Sequence, residues 1–297
     1  MNGNKILTGC LCAFCCEALF GMSYVFTKFA TQSASPFALL GWRFAIAAVV
    51  MGACVTFGLV KVNLSGKSIR PLLLIMFINP VIYFTAETLG ISRITASESG
   101  VILATIPVVS LVMSAVILHK KPTRNQVAGI LITLAGVLVT VLAAGTSASL
   151  SVMGYLWMLA AVMCYALYTV HVEKAHEYTE AEITFFMMMG GGITFVLLAV
   201  AEALSAGTLQ TLLALPFTNQ GFLITVLYQG VCCSVLSFFL VNAAVARIGV
   251  NRAASFIGLS TVVSIFAGVL ALGEPFSMAQ IIGTVIILAG VYLANRK

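Results

Sequence analysis

Ten apolar runs, each near the roughly 20 residues that a helix needs to cross a bilayer's hydrocarbon layer, fill most of this chain. They lie near 6–28, 36–60, 71–92, 96–118, 125–144, 153–173, 183–205, 220–245, 250–272 and 277–295. Between them stand helix-breaking and polar residues: Ser35-Pro36, Lys67 to Pro71, Lys120 to Thr123, Gly145 to Ser151, Leu215 to Asn219 and Glu274-Pro275. With 61% hydrophobic and 8% charged residues, the chain has too little polar surface to clothe a soluble domain. The expected fold is all-α and polytopic, with ten transmembrane helices embedded in a lipid bilayer.

Charge placement sets an expected orientation. With the N-terminus inside, one side of the membrane collects Lys5, Lys61, Lys67, Arg70, Lys120, Lys121, Arg124, Lys174, Arg247, Arg252, Arg296 and Lys297. The other side holds only Lys28 and Arg93, and Arg43 falls within the second run. Both termini are therefore expected in the cytoplasm, in a multi-pass protein of the cell membrane. The net charge of +6 is accounted for by these short loops and calls for no nucleic acid. The nine acidic residues are all Glu, which excludes sites that require Asp, including the usual Mg-nucleotide and aspartyl-phosphate arrangements. All eight cysteines sit inside apolar runs, and the Cys12/Cys15 pair lacks a second pair or a His at zinc spacing. No metal or cofactor is expected.

Residues from Leu118 to Val137 recur without a gap as Leu272 to Val291, 154 positions later. Gln126, Gly129, Ile132, Leu134, Ala135, Gly136 and Val137 meet Gln280, Gly283, Ile286, Leu288, Ala289, Gly290 and Val291. At the same offset Arg93 meets Arg247 and Val108-Val109-Ser110 meets Val262-Val263-Ser264, while an offset of 145 aligns Gly9, Leu11 and Phe20 with Gly154, Leu156 and Tyr165. The chain thus divides into 1–150 and 151–297, five runs each. An odd number of spans places equivalent loops on opposite sides, so two inverted repeats are expected. That inversion explains why Lys120, in a basic loop, matches Glu274, in a loop without Lys or Arg.

The string Leu272-Gly273-Glu274-Pro275, followed by Gln280, Gly283 and Ala289-Gly290-Val291, resembles the L-G-E-P…G…A-G-V pattern of the drug/metabolite transporter superfamily, in its ten-helix EamA type. Phe20-Gly21 to Lys28 and Pro36 to Arg43-Phe44 resemble the same family in the first half. Three departures stand out: Phe20 for the usual Trp, Lys120 for the first-half Glu, and Thr261 where Pro107 has its counterpart. The resemblance covers essentially the whole chain. It implies a secondary transporter, often an exporter of small metabolites such as amino acids, with a cavity lined mainly by helices one, three, four, six, eight and nine.

Glu17 lies near the middle of the first run, about 16 Å from either end at 1.5 Å per residue. A charge at that depth is costly, roughly 3 kcal/mol on insertion scales, so the side chain must face protein or water. It is the candidate for proton coupling, in which proton and substrate compete for one carboxylate; the other reading is a protonated Glu bonded to a neighbouring helix. Arg43 and Glu87, each about 10 Å below the outer surface, are candidates for a buried ion pair. Tyr83, Thr105, Tyr165, Tyr168, Tyr228, Gln229, Ser260 and Thr261 fall near mid-membrane on helices that the resemblance places around the cavity. Rings there can stack on an amphipathic solute while hydroxyls and amides orient it, or they can simply pack helices. Asn79-Pro80 and Pro107 are expected interruptions, where a freed carbonyl can bind ligand or simply permit a kink, and His171 is expected as a hydrogen-bonded structural residue, with a proton relay as the other reading.

Gly129 with Gly136 and Gly283 with Gly290, each seven residues apart, share a helix face and predict close packing of helices five and ten. Met187 to Gly192 is a deformable stretch that reads as lipid-facing packing, with a gate as the other reading, and Glu173, Glu177, Glu180 and Glu182 read as a solvated cytoplasmic loop. Export of a small polar or amphipathic solute by a monomer, driven by proton exchange or by the solute's own gradient, is the expected function. Two other classes compete with it. An intramembrane enzyme would need HExxH, GxSxG or an Asp pair, none of which occurs. A non-transporting scaffold or receptor subunit would explain the glycines and aromatics by packing alone.

Overall fold

The computed structural model describes residues 3–30, 33–91, 93, 102–143, 151–272 and 278–296. Every regular element among the described residues is helical. In chain order they are α1 (Gly3–Ala30), α2 (Pro36–Thr56), α3 (Arg70–Met76), α4 (Tyr83–Ile91), α5 (Ile106–Ile117), α6 (Arg124–Ala143), α7 (Val152–Lys174), α8 (Glu180–Ser205), α9 (Leu209–Thr218), α10 (Gln220–Leu227), α11 (Ser237–Ile248), α12 (Val250–Ser255), α13 (Gly258–Leu272) and α14 (Met278–Asn295). Six helical stretches are long and apolar enough to span a membrane, and Ile106–Ile117, Arg124–Val139 and Ile281–Asn295 are shorter apolar ones. The protein is a polytopic helical membrane protein. The 96–101 part of the fourth apolar run, the 144–150 break and Gly273, Glu274 and Pro275 of the diagnostic string lie outside the described residues.

Helix starts follow local chemistry. Ser35 caps α2 through Ala38 N at 3.1 Å, with Pro36 in the first turn, where its missing N–H costs nothing. Thr179 and Glu182 form a reciprocal capping box on α8, and Asn219 accepts from Phe222 N at 2.9 Å to start α10. Helix α2 stops at Thr56, four residues before the expected end at 60, and Gly58 turns the chain with φ +71°. One helix was not anticipated: α9, which buries Leu212 and Leu215 while Leu213 and Phe217 face outward.

Two apolar runs widen into π-helical turns in mid-course, and a third, 250–272, is divided into α12 and α13. Between α3 and α4 the chain widens into a π-helical stretch, Phe77–Ile82, where Asn79 leaves helical geometry at φ −142°, ψ 119° ahead of Pro80. Between α10 and α11 a second wide stretch runs over Tyr228–Leu236. Such breaks survive at membrane depth where protein surrounds the backbone, and Asn79 and Gln229 are both buried.

In lipid the hydrophobic effect does not drive helices together, so contact depends on backbone approach between small residues. Helices α6 and α14 pack most extensively. A Cβ on Gly129 would lie 2.4 Å from Ala294 N, and one on Gly136 would lie 2.8 Å from Ile287 N. From the other side, a Cβ on Gly290 would lie 2.7 Å from the Gly129 carbonyl oxygen. The seven-residue glycine spacing thus marks the face it was expected to mark.

The Met187 to Gly192 segment is a correction. Met187 and Met188 are fully buried, and Cβ atoms on Gly190, Gly191 and Gly192 would strike Met76, Phe44 and Ala48, so this segment seats α8 on α2 and α3 instead of facing lipid. The outward faces carry Leu11, Phe14, Val49, Val116, Leu197 and Val285.

Candidate functional site

The middle of the bundle holds a polar layer in an apolar setting. Glu17, on α1, is only 5% exposed and faces the Ser260 side chain on α13. The two helices can approach because Gly21 sits against the Ser260 carbonyl, which a Cβ would meet at 2.6 Å. Ser260 also donates to Ile257 O at 2.7 Å, across the turn that separates α12 from α13. Tyr165 of α7 lies within electrostatic range of Glu17, and its ring stands 5.6 Å from that of Tyr83 on α4. Tyr83 donates to Glu87 Oε1 at 2.8 Å, one helical turn on. A row therefore runs from Glu17 through Tyr165 and Tyr83 to Glu87, drawing on α1, α7 and α4.

Arg43 adjoins this row from α2. Its Nε donates to Ser234 Oγ at 2.8 Å, and its guanidinium lies over the Phe84 and Phe44 rings at 4.7 and 5.4 Å. The ring quadrupoles favour a cation there, and planar Arg suits this stacking better than Lys. Among the described residues no salt bridge within 4 Å joins Arg43 to Glu87, although the two charges act on each other. Hydroxyl and aromatic faces hold the guanidinium, and a tyrosine holds the carboxylate.

The remaining candidates divide by what their polar atoms do. Tyr168, fully buried, donates to Asn242 Oδ1, and Asn242 Nδ2 donates to Thr184 Oγ1 at 3.1 Å, which ties α7, α11 and α8 together. Tyr228 donates to Leu19 O at 2.8 Å and stacks on Phe26 at 4.3 Å, tying the second wide stretch to α1. Gln229 is buried beside it. Thr105 donates to Ile102 O at 2.6 Å at the start of α5, and Thr261 is half-buried next to Ser260. The sequence marks Asn79 only through its neighbouring proline. Its amide is fully buried, and neither Nδ2 nor Oδ1 has a hydrogen-bond partner among the described residues. Asn242 and Ser234 were missed altogether; each is one polar residue in an apolar run, and only the partner on another helix marks it.

At one end of the bundle the expected solvated acidic loop is also corrected. Glu173 and Glu182 are 6% and 2% exposed. Glu173 pairs with Lys120 and accepts from Val250 N at 2.7 Å; Gly249, at φ +80°, brings the backbone that close. Lys67 bonds both oxygens of Glu182, at 2.9 and 2.8 Å, and Asn63 N adds a third contact at 3.1 Å. Glu180 pairs with Arg247. His171 Nδ1 meets Leu167 O at 2.7 Å, as expected of a structural histidine.

A bundle of apolar helices around a polar centre, with buried charges reached from several helices, is the build of a polytopic membrane protein with an internal polar site, and its kinship makes it a membrane transporter by class. The EamA-like transporter family profile matches residues 7–142 and again 152–296, and the chain belongs to that family. Among its relatives is the Bacillus subtilis protein named "Uncharacterized transporter YcxC", 31% identical over 279 residues, covering 93% of this chain and 89% of that one. The "Probable terminal-alkyne amino-acid exporter" of Streptantibioticus cattleyicolor is 26% identical over 208 residues, 70% of this chain and 67% of its own. A solved crystal structure superposes with a TM-score of 0.72 over 99% of this chain and 98% of its own; at 19% identity it speaks for the fold alone. These kinships point to a transporter and away from an enzyme.

Proposed function

We propose that the protein is a secondary exporter of a small amphipathic metabolite, such as an amino acid, working by alternating access in the cell membrane as a monomer. Ten spans form two inverted five-helix units, 1–150 and 151–297, with both termini in the cytoplasm. The units rock about the central layer so that it opens to one side at a time. The lopsided distribution of Lys and Arg supports the orientation, and the exporter named among the relatives supports the direction.

The observation that carries the reading is the buried carboxyl of Glu17 between Ser260 and Tyr165. In this scheme Glu17 takes up a proton when the solute leaves and gives it up when the solute's ammonium group arrives. Arg43 offers a carboxylate its Nη donors, because among the described residues only its Nε is engaged. The Tyr83 and Tyr165 rings receive the apolar part of the solute.

The test is flux in proteoliposomes across a panel of amino acids and related metabolites, with and without a pH gradient. The wild-type protein is expected to show accelerated flux when protons run the opposite way. Glu17→Gln is expected to retain exchange of solute for solute but lose the response to the gradient. A Glu17→Gln protein with full gradient dependence would refute proton exchange at this residue, and no flux across the panel would favour the scaffold reading.

A further inference from the structure

We propose that the mouth between α3 and α7 is a binding site for the headgroup of an anionic phospholipid, separate from the central layer. A cavity of about 400 Å³ opens there, lined by Arg70 and Pro71 at the start of α3, by His171 and Lys174 at the end of α7, and by Tyr178 in the following loop. Leu74 and Ile75 form its apolar wall. Arg70 and Lys174 are exposed, and among the described residues neither has a carboxylate within 4 Å. Three neighbouring basic side chains at this end, Lys67, Lys120 and Arg247, do have carboxylate partners. Two cations on different helices thus converge on one cavity; among the described lining residues Glu177, exposed at the rim, is the one carboxylate, and the nearby Glu182 is paired with Lys67.

Position and shape select a lipid over a soluble anion. Arg70 opens one membrane-length stretch and Lys174 closes another, where a headgroup layer begins. Ile69, Leu73 and Leu74 are 48%, 41% and 44% exposed, giving a continuous apolar track from the cavity onto the bilayer face of α3. A phosphodiester can sit between Arg70 and Lys174 while its glycerol and first acyl carbons lie along Leu74. The Tyr178 hydroxyl, donating to Ser68 O, holds the loop that floors the cavity. His171 Nδ1 faces its own helix, so Nε2 is the ring atom left for a ligand. A phosphatidylglycerol headgroup bears one uncompensated negative charge, whereas phosphatidylcholine carries its own cation. The site should therefore discriminate between them.

The experiment is native mass spectrometry of the full chain with phosphatidylglycerol or phosphatidylcholine of identical acyl chains, and with glycerol 3-phosphate as the soluble counterpart. One retained phosphatidylglycerol is expected, in preference to phosphatidylcholine and to glycerol 3-phosphate. Occupancy should fall about fivefold for each charge removed in R70Q and K174Q, and more in the double variant. R70K/K174R keeps both charges and should keep the lipid. K121Q/R124Q removes two exposed charges at the same end, one in the loop that follows Lys120 and one at the start of α6, and should leave the lipid bound. Melting profiles of all variants show whether each is folded. Undiminished phosphatidylglycerol binding by folded R70Q/K174Q, equal binding of phosphatidylcholine, or equally tight binding of glycerol 3-phosphate would each overturn the proposal. The last result would assign the cavity to a soluble anionic metabolite.

Discussion

At the scale of single residues, the polar centre is held by unlike partners. Arg43 rests on one hydrogen bond and on the Phe84 face at 4.7 Å. Arg43→Lys keeps the charge but loses the planar stacking and the fixed fork, so a loss of about 1–2 kcal/mol is expected, read as a lower midpoint in thermal unfolding in detergent. An unchanged midpoint would mean that the charge alone matters. Asn79 presents the opposite case. A buried amide without partners costs about 1–3 kcal/mol relative to a satisfied one. Asn79→Ala is therefore expected to leave the midpoint unchanged or raise it. It should also slow transport, provided that the amide finds its partner in another state of the cycle or in the solute. A fall in midpoint would show that Asn79 is already bonded in the resting state.

At the scale of elements, the helices were legible because a spanning helix must be both long and apolar, and that demand is written residue by residue. The α6–α14 contact was legible too, since Gly129 and Gly136 repeat at a spacing that keeps them on one face. Gly129→Ala puts a methyl group 2.4 Å from a backbone nitrogen that cannot move independently, and about 1–3 kcal/mol of destabilisation is expected. Gly52→Ala is the control: its nearest neighbour is the flexible Met189 Cε at 3.5 Å, and the change should stay within about 0.5 kcal/mol. Unfolding of the two variants side by side checks both values. Helix α9 escaped notice because one short amphipathic segment ending near Pro216 and Asn219 looks locally like a loop. The Tyr168–Asn242–Thr184 tie was illegible for a different reason: its residues are 74 and 58 positions apart, and nothing local to any of them names the others.

At the scale of the whole molecule, the same limit hid the closure of one end. Four glutamates within ten residues look like a solvated loop, because local charge density says nothing of partners 53 and 115 positions away. Yet Lys120–Glu173 and Lys67–Glu182 each join the part of the chain matched by the first family segment to the part matched by the second. Both carboxylates are buried, so each bond is worth more than an exposed pair, about 1.5–3 kcal/mol for a hydrogen bond to a charged group. If the units rock, these contacts must break whenever this end opens, and they set part of the balance between the two states. Glu173→Gln with Glu182→Gln should weaken both latches together and shift the population towards the state open at this end. Cys16 reports the shift, being fully buried between α1 and its neighbours. In a protein retaining Cys16 as its only cysteine, the double substitution is expected to raise maleimide labelling at least about tenfold, at a melting midpoint still well above the assay temperature. Labelling unchanged from the parent would mean that these pairs serve folding alone and that the opening of this end is governed elsewhere.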